Sequence, residues 1–342
     1  MFKILQHPKD VFITQLVPWQ SLCIQPESMV QVAIQVNIFY CGGIAFGFQF
    51  PHKIIDAATM ISLLNTWASL ALKSCKKIEF PNFVASSIFP PIHLSPGKNV
   101  PPLIGTCFLK EGNHVGRRFV FDATAVAKLK AKATSTCVTN PSRVQVVTAF
   151  ILKCCMAASK AVFGSPRASV AHHAVNVRSR MMPPLPENLV GSLLSKVSIR
   201  LTSSDLEFNN LVASIRSAFG KINADYVKSL QGHQRLEVLC ETLREAEKIF
   251  DREKMDSYFF SSWCNMGFHS VNFGWGKPIW ATSIAEKLFP QSFFVNSCWL
   301  LDTREGDGVE ALLILDEKEM DILECDAEFL EFVLQNLVSS YK

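Results

Sequence analysis

His52 and Asp56, in the run Phe50-Pro51-His52-Lys53-Ile54-Ile55-Asp56-Ala57, set an imidazole and a carboxylate four residues apart. Imidazole exchanges protons near neutral pH, so a histidine held rigidly at the end of a strand suits the removal of a proton from a hydroxyl or an amine. The carboxylate could orient the ring or pin the turn by pairing elsewhere, and the spacing alone does not choose. Two further clusters stand out. Asn176-Val177-Arg178-Ser179-Arg180-Met181-Met182-Pro183-Pro184-Leu185-Pro186 carries two arginines, and Val271-Asn272-Phe273-Gly274-Trp275-Gly276-Lys277-Pro278 sets glycines on either side of a tryptophan. Glycine, tryptophan, glycine is a pattern for a tight loop in which a large ring fills a pocket while the backbone passes closely. Trp275 is therefore expected in the core. A side-chain contact between the arginine cluster and the polar residue ahead of the glycine loop, Asn272, is also expected.

The elements that must position these residues follow from the periodicity. Val32, Ile34, Val36 and Ile38 alternate with smaller or polar residues, and Cys41-Gly42-Gly43 then turns the chain into Ile44, Phe46, Phe48 and Phe50. This predicts a hairpin with one strongly buried face. Ala45 and Gly47 leave its other face open, as if a backbone or a ligand came close. Beyond the histidine, Met60, Leu63, Leu64, Trp67 and Ala71 recur at helical spacing. Pro81, Pro90, Pro91, Pro96, Pro101 and Pro102 then forbid regular structure, so residues 83–107 are expected to form an extended crossover between domains. Arg118-Phe119-Val120-Phe121 reads as a strand, Asp122 as the cap of a helix from Ala123 to Ala133, and Pro141 as the opening of a helix carrying Val144, Val147, Ala149 and Leu152. Strands alternating with helices argue for α/β layers.

Composition bounds the possibilities. A chain of 342 residues can bury two cores, and 49% hydrophobic against 19% charged residues is a globular balance. The net charge of +4 is small and dispersed, without the basic stripe of a nucleic-acid binder or a cluster suited to a membrane surface. No run is read as reaching membrane-spanning length, and the first residues lack the apolar centre of a signal peptide. The eleven cysteines include no Cys-x-x-Cys, and adjacent Cys154 and Cys155 in an apolar helical stretch read as buried free thiols. A cytoplasmic location is the default. His172-His173 lack further ligands at metal spacing, so no metal is expected. Ser261, Ser262 and Cys264 have no identifiable base beside them and are not taken as nucleophiles.

Taken in order, His52-x-x-x-Asp56, Asn176-Val-Arg-Ser-Arg-Met-x-Pro-Pro-Leu-Pro and Phe273-Gly-Trp-Gly-Lys-Pro resemble the BAHD acyl-CoA-dependent acyltransferases of plants, within the chloramphenicol acetyltransferase-like group. Asn37-Ile-Phe-Tyr-Cys-Gly-Gly-Ile-Ala and Asp302-Thr-Arg-Glu-Gly-Asp-Gly-Val-Glu-Ala fit the same pattern, and the resemblance covers essentially the whole chain, nearest the vinorine synthase-like branch. It implies a two-domain α/β fold with mixed sheets and flanking helices: an incomplete N-terminal domain over residues 1–82, the crossover at 83–107, and a C-terminal domain over 108–342. A channel would run between the domains. His52 would be the general base for acyl transfer, most simply acetyl, from CoA to a hydroxyl or amine of a small specialised metabolite such as an alkaloid or a terpenoid. Asp56 would turn away from the channel to pair with an arginine. The loop with Asn272, Gly274, Trp275 and Gly276 would be structural, its leading residue paired with Arg178 or Arg180. Acyl-CoA is the implied co-substrate, its contact residues are not assigned, and a monomer is implied.

Three departures from the family pattern carry expectations of their own. Asn272 stands where the family has aspartate, and an amide cannot neutralise a buried arginine. Ser192 follows Gly191 where asparagine is common. Met1 aligns inside the family's first domain, leaving out on the order of a hundred residues, about a small domain, so the strand before His52 is expected to expose an edge or an apolar face. A truncated, catalytically silent relative that retains only binding ability, or an incomplete gene product, is the alternative from another functional class.

Overall fold

In the computed structural model of the chain, the residues described are 13, 15–18, 32–73, 78–90, 109–136, 138–202, 207–232, 235–238, 240–241, 255–283 and 293–335. The alternating segments on each side of Cys41-Gly42-Gly43 pair as strands β1 (Ala33–Ile38) and β2 (Ile44–Gln49), antiparallel, with Ile38 opposite Ile44 and Ala33 opposite Gln49. The small residues on one face meet a steric need. A Cβ on Gly47 would overlap the carbonyl oxygen of Leu16 and lie 2.7 Å from Val17 Cα, so backbone runs against this face. Asn37 Nδ2 donates to the Leu16 carbonyl at 2.8 Å and Gln35 Nε2 to the Gln15 carbonyl at 2.7 Å, which fixes that approach.

The apolar face of the hairpin departs from the strongly buried one that alternation implies. Ile34, Val36 and Ile38 are 44%, 53% and 77% exposed. Aromatic packing covers the β2 side at Phe46, whose ring lies 5.7 Å from Trp67 and 5.4 Å from Phe273, while the β1 residues stay open. The exposed apolar face expected of the strand before His52 lies instead on its partner β1, because Trp67 and Phe273 cover Phe46 of β2.

Helix α1 (Ala57–Ala71) begins at Asp56, whose carboxylate accepts from the Thr59 N–H at 2.9 Å and caps the first turn. Its most buried positions are Ala58, Thr59, Ile61, Thr66 and Ala68, not the larger stripe through Met60, Leu63 and Trp67. Small side chains let the helix sit close to the rest of the protein, and Trp67 turns instead to the hairpin. Asn82 ties the following segment to the Leu189 region, donating to the Asn188 carbonyl at 2.9 Å and accepting from the Val190 N–H at 2.7 Å. One turn of helix, α2 (Ala85–Ile88), fits between Pro81 and Pro90 where no regular structure was expected. Most of the crossover, residues 91–107, lies outside the described residues.

After the short strand β3 (Lys110–Glu111) comes β4 (His114–Phe121), then Asp122 capping α3 (Ala123–Ala133) as its sequence implies. Helix α4 (Arg143–Phe163) opens with a reciprocal capping box between Ser142 and Gln145. Strands β5 (Ala168–Asn176) and β6 (Leu194–Leu201) follow, then α5 (Phe208–Gly220) and α6 (Ala224–Ser229). The last elements are β7 (Met255–Ser262), β8 (Phe293–Phe294), β9 (Ser297–Asp302), β10 (Val309–Asp316), α7 (Glu317–Leu323), α8 (Ala327–Phe332) and β11 (Leu334–Gln335). A seven-stranded mixed sheet in the order β11-β4-β10-β9-β7-β5-β6 joins them, with β5, β7 and β9 parallel and the other pairings antiparallel.

Helix α4 requires a correction. At 21 residues, with a mean hydropathy of 1.7 over its most apolar window, it is long and apolar enough to cross a membrane, which no run was read to be. Its place is the core: Val146, Val147, Phe150, Ile151 and Cys155 are buried against the sheet and its neighbouring helices. A helix apolar on nearly all sides is what the centre of a large domain requires.

Replacing Gly47 with alanine is expected to force the Leu16 backbone off the hairpin and to cost about 1–3 kcal/mol, as overpacking does. Urea unfolding would show a lower midpoint for Gly47→Ala, whereas an unchanged midpoint would mean that the close approach is not maintained.

Candidate active site

The site is organised by Asp56 and Arg178. The guanidinium of Arg178 is fully buried, with Nη1 2.7 Å from Asp56 Oδ2 and Nη2 3.1 Å from Oδ1, a two-pronged pairing matched to the planar fork of arginine. Asp56 is 1% exposed. Nη2 also reaches Thr59 Oγ1 and the carbonyls of Leu189 and Gly191, at 3.1, 2.8 and 3.0 Å, and Nη1 reaches Asn176 Oδ1 at 3.2 Å. The Leu193 N–H donates to Asp56 Oδ2 at 3.0 Å. One ion pair thus ties the start of α1, the short helical turn Arg178–Arg180 after β5, and the backbone of 189–193.

His52 lies four residues before this anchor, in a turn closed by the Ile54 and Ile55 N–H groups donating to the Pro51 carbonyl. Its imidazole is exposed, with Nδ1 3.4 Å from Ser192 Oγ. Ser192, one of the departures from the family pattern, is therefore the residue facing the histidine. The partner of Asp56 turns out to be Arg178, and its carboxylate is engaged by that guanidinium and by the Thr59 and Leu193 N–H groups.

Helix α1 also forms one wall of a cleft of about 1220 Å³, opposite His173, Asn176 and Arg180 from the end of β5 and beyond, Arg216 from α5, and Ser262, Cys264, Asn265 and Met266 from the end of β7 and beyond. His52 is not among the described residues lining this cleft; it stands at the N-terminal end of the helix that forms its wall. Burial pushes the His173 imidazole down to about 4, against a weaker opposing hydrogen bond to the Ala174 carbonyl, so it is neutral. Its neighbour His172 is pushed down to about 3, first by burial and then by Lys196. Cys264, also on the cleft wall, has its thiol pushed up to about 12 mainly by burial, which leaves no thiolate to act as a nucleophile. Among the described residues no group of three or more histidine, cysteine, aspartate or glutamate side chains could hold a metal ion.

The glycine loop differs from its sequence reading in two respects. Asn272 Oδ1 accepts from the Gly274 N–H at 2.8 Å and folds onto its own loop, so the expected contact with Arg178 or Arg180 does not form. The charge of Arg178 is already neutralised by Asp56, and Arg180 Nη1 donates to the Phe219 carbonyl at 3.5 Å. The amide at 272 therefore leaves no buried charge unneutralised. Trp275 is 63% exposed instead of in the core, and Phe273 is the ring that packs, 5.0 Å from Trp67 and 5.4 Å from Phe46. Gly274 and Gly276 take φ of 100° and 117°, and these left-handed turns swing the indole outward to rest on the edge of Phe273 and Phe46. The loop clamps α1 from outside.

A family model described as Transferase family matches residues 2–330. The chain belongs to the BAHD transferase family. Among curated relatives, epi-neemfruitin B 7-O-acetyltransferase of Melia azedarach is 38% identical over 87% of this chain and 66% of its own length. Limonoid 7-O-acetyltransferase of Citrus sinensis is 39% identical over 87% and 65%. The chain thus spans about two thirds of the length of these relatives. The crystal structure of vinorine synthase superposes with a TM-score of 0.74 at 30% identity, over 96% of this chain and 73% of that one. The F. graminearum TRI101 structure complexed with coenzyme A and T-2 mycotoxin gives 0.67 at 17% identity and shares the fold.

Within this BAHD framework, the motif reading found the two ends of the ion pair but not what surrounds Arg178. Asn176 heads the arginine motif but its role as an acceptor for Arg178 was not read, and the 189 and 191 carbonyls carry no signal at all, since a backbone acceptor leaves no mark on residue type. Arg143 was missed too: it holds the cleft rim by donating to Asn265 Oδ1 at 2.7 Å, to Asp302 Oδ1 at 3.0 Å and to the Gly306 carbonyl at 2.6 Å. Its place in the first turn of α4, next to the Ser142 cap, was the available hint.

Asp56→Ala leaves the Arg178 guanidinium buried without its counter-ion and is expected to cost about 3–5 kcal/mol, read as a shift in the denaturant midpoint. The two buried histidines set an acid limit. Their folded pKa values lie below the ordinary 6.5, so the stability they confer is complete above about pH 6.5 and drains away as pH falls toward about 4, at up to about 1.4 kcal/mol per pH unit for each imidazole. Urea unfolding between about pH 7 and pH 4.5 would show this slope, and His173→Gln would flatten it.

Proposed function

We propose that the chain is an acyl-CoA-dependent O-acyltransferase that moves an acyl group, most simply acetyl, to a hydroxyl of a small specialised metabolite of the alkaloid or terpenoid kind. The observation that carries this is the anchoring of the His52 turn by the buried Asp56–Arg178 pair, in a chain with acetyltransferase relatives such as that of Melia azedarach. With Nδ1 of His52 turned to Ser192, Nε2 is the nitrogen left to meet a substrate. It removes the acceptor's proton as the acceptor oxygen attacks the thioester carbonyl. The C–O bond forms, the C–S bond breaks, and the proton passes to the departing CoA sulfur. No acyl-enzyme is required, because holding both substrates against one base supplies much of the advantage through orientation. Coenzyme A in a TRI101 complex supports acyl-CoA as co-substrate. A cytoplasmic monomer, divided into a partial N-terminal domain (1–82), a crossover (83–107) and a C-terminal domain (108–342), belongs to the same proposal.

A second reading, a catalytically silent relative that keeps only binding ability, is favoured by the exposure of His52 and its position off the cleft wall. The two part on one assay. Purified protein with acetyl-CoA and a panel of acceptor alcohols is expected to release free thiol about 10²–10⁴ times faster than His52→Ala. The variant's stability should stay within about 0.5 kcal/mol, since the ring is exposed. Equal rates for the two proteins would decide for the silent relative.

A further inference from the structure

We propose that a second cavity, at the start of β7, is a binding site for a small organic ammonium ion, held by the carboxylates of Glu319 and Asp256. The cavity measures about 600 Å³ and lies at the opposite end of β7 from the cleft, so the inference is independent of the acyl-transfer reading. Glu319 and Asp256 are each 1% exposed.

The existing partners leave the site incomplete. Lys110 Nζ lies 3.4 Å from both Asp256 Oδ1 and Glu319 Oε1, and Arg167 Nε lies 3.4 Å from the same Asp256 oxygen. All three separations exceed the roughly 2.7–2.9 Å of a tight charge-assisted bond. Asp256 Oδ2 accepts from the Ser159 hydroxyl, whereas Glu319 Oε2 is buried with no hydrogen-bond partner. A buried acceptor without a donor is costly, and Glu319 lines the cavity.

Charge selects the ligand. Among the described lining residues, the four carboxylates of Glu111, Asp256, Asp316 and Glu319 face the three cations of Lys110, Arg167 and Lys318, so a single positive charge balances the set. Lys110 and Arg167 are already committed to Asp256, which argues against an anion. The remaining wall, with Leu109, Val162, Phe163, Met255 and Phe294, suits an apolar body carrying the N–H donors. Burial raises the Glu319 carboxyl to about 7, with Asp256 and Asp316 adding to the rise and Lys110 opposing it. Tyr258 and Cys155, packed behind these carboxylates, are held well above their ordinary ranges by burial and stay neutral. An ammonium ion selects the ionised carboxylate, so its binding expels a proton and tightens as pH rises through 7.

The test is calorimetric titration of the full chain with n-butylammonium chloride at about pH 6 and about pH 8 at constant ionic strength, with 1-butanol, tetramethylammonium and inorganic phosphate as comparators. Saturable n-butylammonium binding, about tenfold tighter at the higher pH and with proton release between buffers of different ionisation heat, is expected. Glu319→Gln should weaken binding about tenfold or more while keeping the wild-type circular dichroism. If that variant does not fold, Asp256→Asn must weaken binding severalfold. No saturable binding at the higher pH overturns the proposal, as does phosphate binding in place of the amine. Tetramethylammonium, which has no N–H, binding as well as n-butylammonium would also overturn it, and so would variants that bind like the wild type.

Discussion

A guanidinium with no access to water must have a counter-ion, and in this protein that requirement is met by one carboxylate, Asp56, 122 residues away in sequence. The pairing is a poor source of net stability, because removing two charges from water consumes most of what their attraction returns. Its value is positional. Breaking it costs several kcal/mol, so the start of α1 is held in one place relative to β5 and the 189–193 segment, and the His52 turn is carried with it.

Everything near the candidate site is arranged around that fixed helix. On one side Ala58, Ile61 and Thr66 face the cleft, with neutral His173 and protonated Cys264 across from them. On the other side Trp67 meets Phe46 and Phe273, so that the hairpin and the glycine loop grip the helix between aromatic rings. Ile61 and Ala68 pack with Val271 beneath these rings in a small core separate from the one under the large sheet. The glycine loop thus braces the helix whose capping residue is Asp56 through the Phe273 ring, while Asn272 bonds within its own loop.

Local signals in the sequence were read well. Asp122 and the helix after it, the helix that opens just past Pro141, and the hairpin across Gly42 are written in short-range chemistry, and all three appear where that chemistry places them. The close backbone approach at Gly47 was likewise implied by its missing side chain. Readings that depended on distant partners fared worse. Alternation in β1 says that one face is apolar but not what covers it, and Ile38 is left open. The pattern around Trp275 marks a tight loop but not which ring points inward, and Phe273 took that place. Both arginines of the second cluster carry the same charge in sequence, and only the fold shows that Arg178 is enclosed while Arg180 reaches a carbonyl. The second cavity left no trace because Lys110, Asp256 and Glu319 come from three separate elements.

A double-mutant cycle between Asp56→Asn and Arg178→Met, read by urea unfolding, tests the central claim most directly. If the buried pair is the anchor of the site, the two substitutions are strongly non-additive, with a coupling of about 2 kcal/mol or more. Additivity within about 0.5 kcal/mol would mean that the two side chains do not hold one another, and that the His52 turn is positioned by something else.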